Sequence, residues 1–68
     1  MIEVDARGLS CPEPALMAME AIVDNPGEEI RVLVSNATQK QNVAEVAEKR
    51  GRSAVTEQIG EDYAITIK

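Results

Sequence analysis

The sequence predicts a two-layer α/β sandwich, an α+β arrangement in which two helices lie on one face of a four-stranded mixed sheet. Three observations lead there. The hydrophobic pattern alternates between a period of two and a period of 3.6, giving the order β-α-β-α-β-β. The strand segments alternate apolar and polar residues, so one sheet face is wet. Two helices are also too few to cover both faces of four strands. A chain of 68 residues fits a single domain, 1–68, and no internal repeat, linker or low-complexity tract interrupts it.

Residues 2–6 set Ile2 and Val4 against Glu3 and Asp5, the pattern of a half-buried strand. Arg7-Gly8-Leu9 is a short turn in which Gly8 is free to take positive φ. Leu9 is placed to tuck under that turn and fix the helix entry. The first helix is expected from about Pro12 to Val23. Pro12 and Pro14 suit a first turn, where N–H groups have no intrahelical partner. Ala15, Leu16, Met19, Ile22 and Val23 form its expected apolar stripe. Asp24-Asn25-Pro26-Gly27 ends it with four turn formers in a row.

The second strand covers residues 29–35, with Ile30, Val32 and Val34 on one face and Leu33 on the other. Asn36 is a candidate N-cap for a helix from Ala37 to Arg50, and Gly51 a natural terminator. The stripe expected on that helix is narrower: Ala37, Lys40, Val43 or Ala44, Val46 and Ala47. Residues 52–59 and 62–68 make a hairpin around Gly60-Glu61. Crossover helices make the first three strands parallel, and the last returns antiparallel.

Composition excludes several kinds of function. The net charge is −5, from seven basic and twelve acidic side chains, which argues against a general nucleic-acid surface. No apolar run approaches a membrane span. The chain opens Met-Ile-Glu-Val without a leader pattern, and its single cysteine cannot form an internal disulfide, so a cytoplasmic location is expected. There is no histidine, which removes Cys–His and Ser–His–acid catalysis and leaves no plausible metal site. The glycines lie apart, so there is no phosphate loop. No cofactor is expected.

The chemistry is therefore concentrated in Arg7-Gly8-Leu9-Ser10-Cys11-Pro12-Glu13-Pro14. The prolines place Cys11 at or just before the start of a helix, where the macrodipole and free N–H donors favour a thiolate. A free cysteine is also often a small buried hydrophobe, but a position between a glycine turn and a proline-led helix start tends to face solvent. Glu13, in the first turn, favours the helix and opposes the thiolate. Arg7 is a candidate for lowering the thiol pKa or gripping a charged partner group, or else it pairs with Asp5 or Glu13. Asp5 fits a loop-fixing role, accepting backbone N–H bonds. Gly8, Pro12 and Pro14 shape the loop.

Asp5-x-Arg7-Gly8-x-x-Cys11-Pro12-x-Pro14, set between a first strand and a first helix, resembles the signature of the TusA/SirA/YedF-like sulfur-carrier family. The resemblance covers the whole chain. Asn36-Ala37-x-x-x-Gln41-Asn42-Val43 is similar to the YedF-like branch, associated with sulfur or selenium metabolism, and departs from the tRNA-thiolation carriers. The resemblance implies a sheet order of 1-2-4-3 and a persulfide carried on Cys11, with Asp5, Arg7, Gly8, Pro12, Glu13 and Pro14 as its supporting loop. It implies a cysteine desulfurase or other persulfide donor as one partner, and a sulfurtransferase or DsrE-like acceptor as the other. Such a chain is a carrier more than a classical enzyme. A regulatory interaction module and a thiol redox sensor are the alternatives on the same fold.

Overall fold

The computed structural model describes residues 2–10 and 12–68. Its elements follow the expected order: β1 (Ile2–Asp5), α1 (Glu13–Asp24), β2 (Ile30–Val34), α2 (Ala37–Lys49), β3 (Ala54–Ile59) and β4 (Asp62–Ile67). The sheet order is β1-β2-β4-β3. β1 and β2 are parallel, and β4 runs antiparallel to both β2 and β3. This is the two-layer arrangement the alternating strands predict, with the helices on one face.

The register explains which residues form the core. Ile2, Ile30, Ile67 and Ala54 lie in one row across the sheet, and Val4, Val32, Ile65 and Thr56 in the next. In these two rows Ile30, Val32, Ile65 and Ile67 are fully buried, with Val34 continuing the β2 face. The intervening rows, Glu3-Arg31-Thr66-Val55 and Asp5-Leu33-Ala64-Glu57, lie on the opposite face. That face carries the Arg31–Glu3 ion pair at 3.9 Å. With one aromatic residue in the chain, the core is aliphatic and depends on close approach of small groups.

α1 buries Ile22 of the expected stripe but otherwise turns a different side to the sheet. Pro14, Ala18 and Ile22 are its buried residues, at spacings of four, and Met17 and Ala21 pack beside them. Leu16 and Val23 instead stand in solvent, 52% and 56% exposed. The helix is apolar almost all round, so periodicity alone did not choose the face. The small Ala18 and the flat ring of Pro14 allow the helix to lie close to the sheet, which the larger Leu16 would prevent. The helix starts at Glu13, with Pro12 at the cap position and Pro14 in the first turn.

α2 begins as its sequence predicts and ends in a recognisable motif. Asn36 Oδ1 accepts the Gln39 N–H at 2.9 Å, an N-cap. At the other end Gly51 takes φ +75°, its N–H donates to the Glu48 carbonyl at 3.0 Å, and the Arg52 N–H donates to Ala47 at 2.9 Å. This pair of bonds is a Schellman motif, for which glycine is suited because it has no Cβ. The buried stripe of α2 is Gln39, Val43 and Ala47, with Val46 beside it. Ala37 is exposed, and Lys40 is half-buried with its Nζ 4.9 Å from the centre of the Tyr63 ring, a cation–π contact.

No helix is long and apolar enough to cross a membrane among the described residues. β3 is the barest element: it lies at the sheet edge, and Val55 and Ile59 are 56% and 41% exposed. At its start, Arg52 Nε donates to the Lys68 carbonyl at 2.8 Å and its Nη2 to the Glu28 carbonyl. One guanidinium thus joins Lys68, just after β4, to the turn before β2.

Candidate functional site: the loop between the first strand and first helix

β1 delivers the chain to the site at Ala6, which is fully buried and donates its N–H to the Leu33 carbonyl at 2.9 Å. The chain then leaves the sheet. Gly8 takes φ +81°, the left-handed region that glycine enters at little cost, and turns the backbone towards the helix layer. Leu9 packs against the core as the sequence suggests, and its N–H returns to the Ala6 carbonyl at 3.4 Å. On the far side, the Glu13 N–H donates to the Ser10 carbonyl at 2.9 Å, and the Leu16 N–H donates to Pro12 at 3.1 Å. These bonds lead the loop into α1.

Cys11, the candidate nucleophile, lies outside the described residues. Its two sequence neighbours, Ser10 and Pro12, are both exposed. Pro14 is fully buried and anchors the start of α1, while Glu13 between the prolines is exposed. The two prolines therefore differ: Pro14 packs, and Pro12 stands at the helix boundary.

Asp5 and Arg7 meet at the mouth of the loop. Arg7 Nε donates to Asp5 Oδ1 and Arg7 Nη2 to Asp5 Oδ2, each at 2.9 Å. The Arg7 backbone N–H also donates to Asp5 Oδ1, at 3.2 Å. These side-chain and backbone bonds from Arg7 hold the Asp5 carboxyl down at about 2, and Asp5 in turn holds the guanidinium firmly protonated. Asp62 adds a second, longer pairing to Arg7 at 3.7 Å. Of the roles open to Arg7 in the sequence, the pairing with Asp5 is present, and Asp62 from β4 adds to it. Asp5 accepts a backbone N–H, the loop-fixing role its residue type suggests.

Two residues of the loop's support were missed by sequence reasoning. Ser35 Oγ accepts the Gly8 N–H at 2.7 Å, and Gln39 Nε2 donates to the Leu9 carbonyl at 2.6 Å. Both come from the junction of β2 and α2, so the second strand–helix unit holds the loop of the first. A signal for Gln39 did exist: it lies four residues before Val43 and eight before Ala47, a polar residue at the head of an apolar stripe. Among the described residues, no group of three or more carboxylates and thiols is placed to hold a metal ion.

With this geometry in view, comparison with known proteins becomes specific. Residues 2–68 match the family model described as sulfurtransferase TusA. The chain is also similar to a solved structure, the SirA-like protein from Desulfitobacterium hafniense. The two share 31% identity and superpose with a TM-score of 0.90, covering 98% of this chain and 95% of the other. No curated protein sequence gives a significant match.

Proposed function

Because this chain belongs to the TusA family of sulfurtransferases, we propose that it carries sulfur as a persulfide on Cys11 and hands it to a partner protein. The observation behind this reading is the family match over residues 2–68, which includes the chain's single cysteine within Cys11-Pro12-Glu13-Pro14. The exposure of Ser10 and Pro12 on either side supports an accessible sulfur.

The chemistry is thiol–disulfide exchange with one sulfur moved. The Cys11 thiolate attacks the terminal sulfur of a donor's persulfide. A new S–S bond forms on Cys11 as the donor's S–S bond breaks, and the donor cysteine leaves as a thiolate. No net oxidation occurs. In the second step an acceptor's thiolate attacks the outer sulfur on Cys11, and the Cys11 thiolate is released. A resolving cysteine in the same chain would expel that sulfur as hydrosulfide; the sequence has none. Asp5, Arg7, Gly8, Pro12, Glu13 and Pro14 shape and support the loop rather than react. A cysteine desulfurase or similar persulfide protein fits the donor role, and a sulfurtransferase or DsrE-like protein the acceptor role. The Asn36–Val43 segment favours the YedF-like branch.

Incubation with a cysteine desulfurase and cysteine, followed by intact-mass measurement, tests the reading. The expected result is a gain of about one sulfur, removed by reductant and absent in Cys11→Ser. No gain with any of several persulfide donors would overturn it. Addition of oxygen or glutathione under mild oxidant, without sulfur loading, would indicate a redox sensor instead.

A further inference from the structure

Gln39 is the one buried polar side chain among the described residues, 5% exposed, and its side-chain bonds run to Leu9 and to Ser35, both of which support the loop. Its Nε2 donates to the carbonyl of Leu9, two residues before Cys11. Its Oε1 accepts the Ser35 N–H at 3.3 Å, and its own N–H is held by the Asn36 cap at 2.9 Å. Ser35 in turn holds the Gly8 N–H. The amide is thus fixed between an acceptor on one side and a donor on the other. A carboxamide satisfies both; an apolar side chain satisfies neither, and an ionised carboxylate would set oxygen against the Leu9 carbonyl.

A purely structural account of Gln39 is incomplete. The cap of α2 is already made by Asn36, and the Val43–Ala47 stripe itself asks only for an apolar residue here; the amide answers the Leu9 carbonyl and the Ser35 N–H instead. What the amide adds is a fixed position for the backbone immediately before Cys11. We propose that Gln39 is a positioning residue for the sulfur-carrying loop, setting the reactivity of Cys11 by clamping the Leu9 carbonyl. This rests on Cys11 being the residue that reacts. With the clamp in place the chain enters α1 along one path, at the positive end of the helix macrodipole, whose field favours a thiolate. Without it the entry varies and that preference is diluted.

The test is the pH profile of Cys11 alkylation by iodoacetamide in the wild type, Gln39→Leu and Gln39→Glu, with unfolding by urea recorded on the same samples. In Gln39→Leu the apparent thiol pKa is expected to rise, with the alkylation rate near neutral pH falling about threefold or more while the protein remains folded. Gln39→Glu provides the second arm. Its neutral carboxyl can donate to Leu9 and accept from Ser35, and burial raises its pKa. Alkylation should therefore match the wild type at about pH 5 and fall behind it as the carboxyl ionises. Profiles that superpose on the wild type in both folded variants overturn the proposal, as does a lowered thiol pKa. Should Gln39→Leu fail to fold, the pH-dependent divergence of Gln39→Glu decides the matter alone. Sulfur loading of the wild type is measured separately. A wild type that takes up no sulfur, yet whose alkylation depends on Gln39, would overturn the carrier reading and leave the positioning role standing.

Discussion

Arg7 grips Asp5 at two points, Nε to Oδ1 and Nη2 to Oδ2, and adds its own backbone N–H to the first oxygen. The two residues are only two apart in sequence, so the pair closes the turn leaving β1 rather than linking distant parts of the fold.

A pH dependence follows from that pair. Arg7 holds the Asp5 carboxyl at about 2, below its ordinary 3.8. The pair's contribution is therefore complete above pH 3.8 and is lost as the pH falls towards 2. A carboxyl-carbon NMR titration should find Asp5 titrating near 2 in the wild type and raised towards 3.8 in Arg7→Gln, stopping short of it because the backbone N–H of residue 7 still donates to Asp5 Oδ1. Because both side chains are about half exposed, high salt should also raise the wild-type value. A wild-type Asp5 that titrates at its ordinary value would show that the pair does not persist in solution.

The turn at Gly8 can be tested through backbone strain alone. A Cβ added there meets nothing within 4 Å, so Gly8→Ala creates no clash, but φ +81° remains unfavourable for alanine. The expected loss is about 1 kcal/mol in urea unfolding. Ser35→Ala removes the acceptor of the Gly8 N–H and should cost about 0.5–1.5 kcal/mol. Neither change touches the core. A much larger loss from Gly8→Ala would mean that the turn is more tightly surrounded than its geometry indicates.

Asn36→Ala should destabilise the protein by about 1 kcal/mol through loss of the N-cap. It also frees the backbone of Gln39, whose N–H the cap holds. Amide exchange at Gln39 and Lys40 should accelerate more than at the Schellman end of α2. Uniform acceleration along α2 would point to global unfolding rather than a local opening.

Ile65 is the core position most exposed to a truncation test. It is fully buried in the middle of β4, directly across from Val32. Ile65→Ala should cost about 2–5 kcal/mol in urea unfolding, a large share of the ~5–15 kcal/mol typical of whole domains. Truncation of the exposed Val55, which shares the sheet but not the core, should change stability far less.

Local signals made much of this fold legible. Strand alternation gave the sheet and its wet face, Asn36 and Gly51 marked the two ends of α2, and the paired prolines marked the start of α1. Where a segment was apolar on several sides, the pattern lost its power. In α1, Leu16 and Val23 looked as suited to the core as Ala18, and only the approach of helix to sheet separates them. The site divided in a similar way. The Asp5–Arg7 pairing and the packing of Leu9 were readable because these residues lie close together in the chain. Ser35 was not, and Gln39 showed only as a polar residue at the head of the α2 stripe, because nothing in a linear pattern says that a serine after one strand and a glutamine in the next helix will reach back to an earlier loop. Charge and hydrogen-bond capacity at a distance become visible only when the topology brings them together.

The two bonds from the β2–α2 junction to the loop span 27 and 30 residues. Loop-closure entropy must be met before contacts of such separation form, so this loop should be set after the local turns and helices, not before. Cys11 leaves the ribosome well ahead of Ser35 and Gln39, and the thiol exists as a chemical group before its loop has any reason to hold one shape. A fragment ending before Ser35 would contain the whole cysteine motif and neither of these bonds. Whatever reactivity depends on a fixed loop is then a property acquired at the close of folding, and the unfinished chain is spared it.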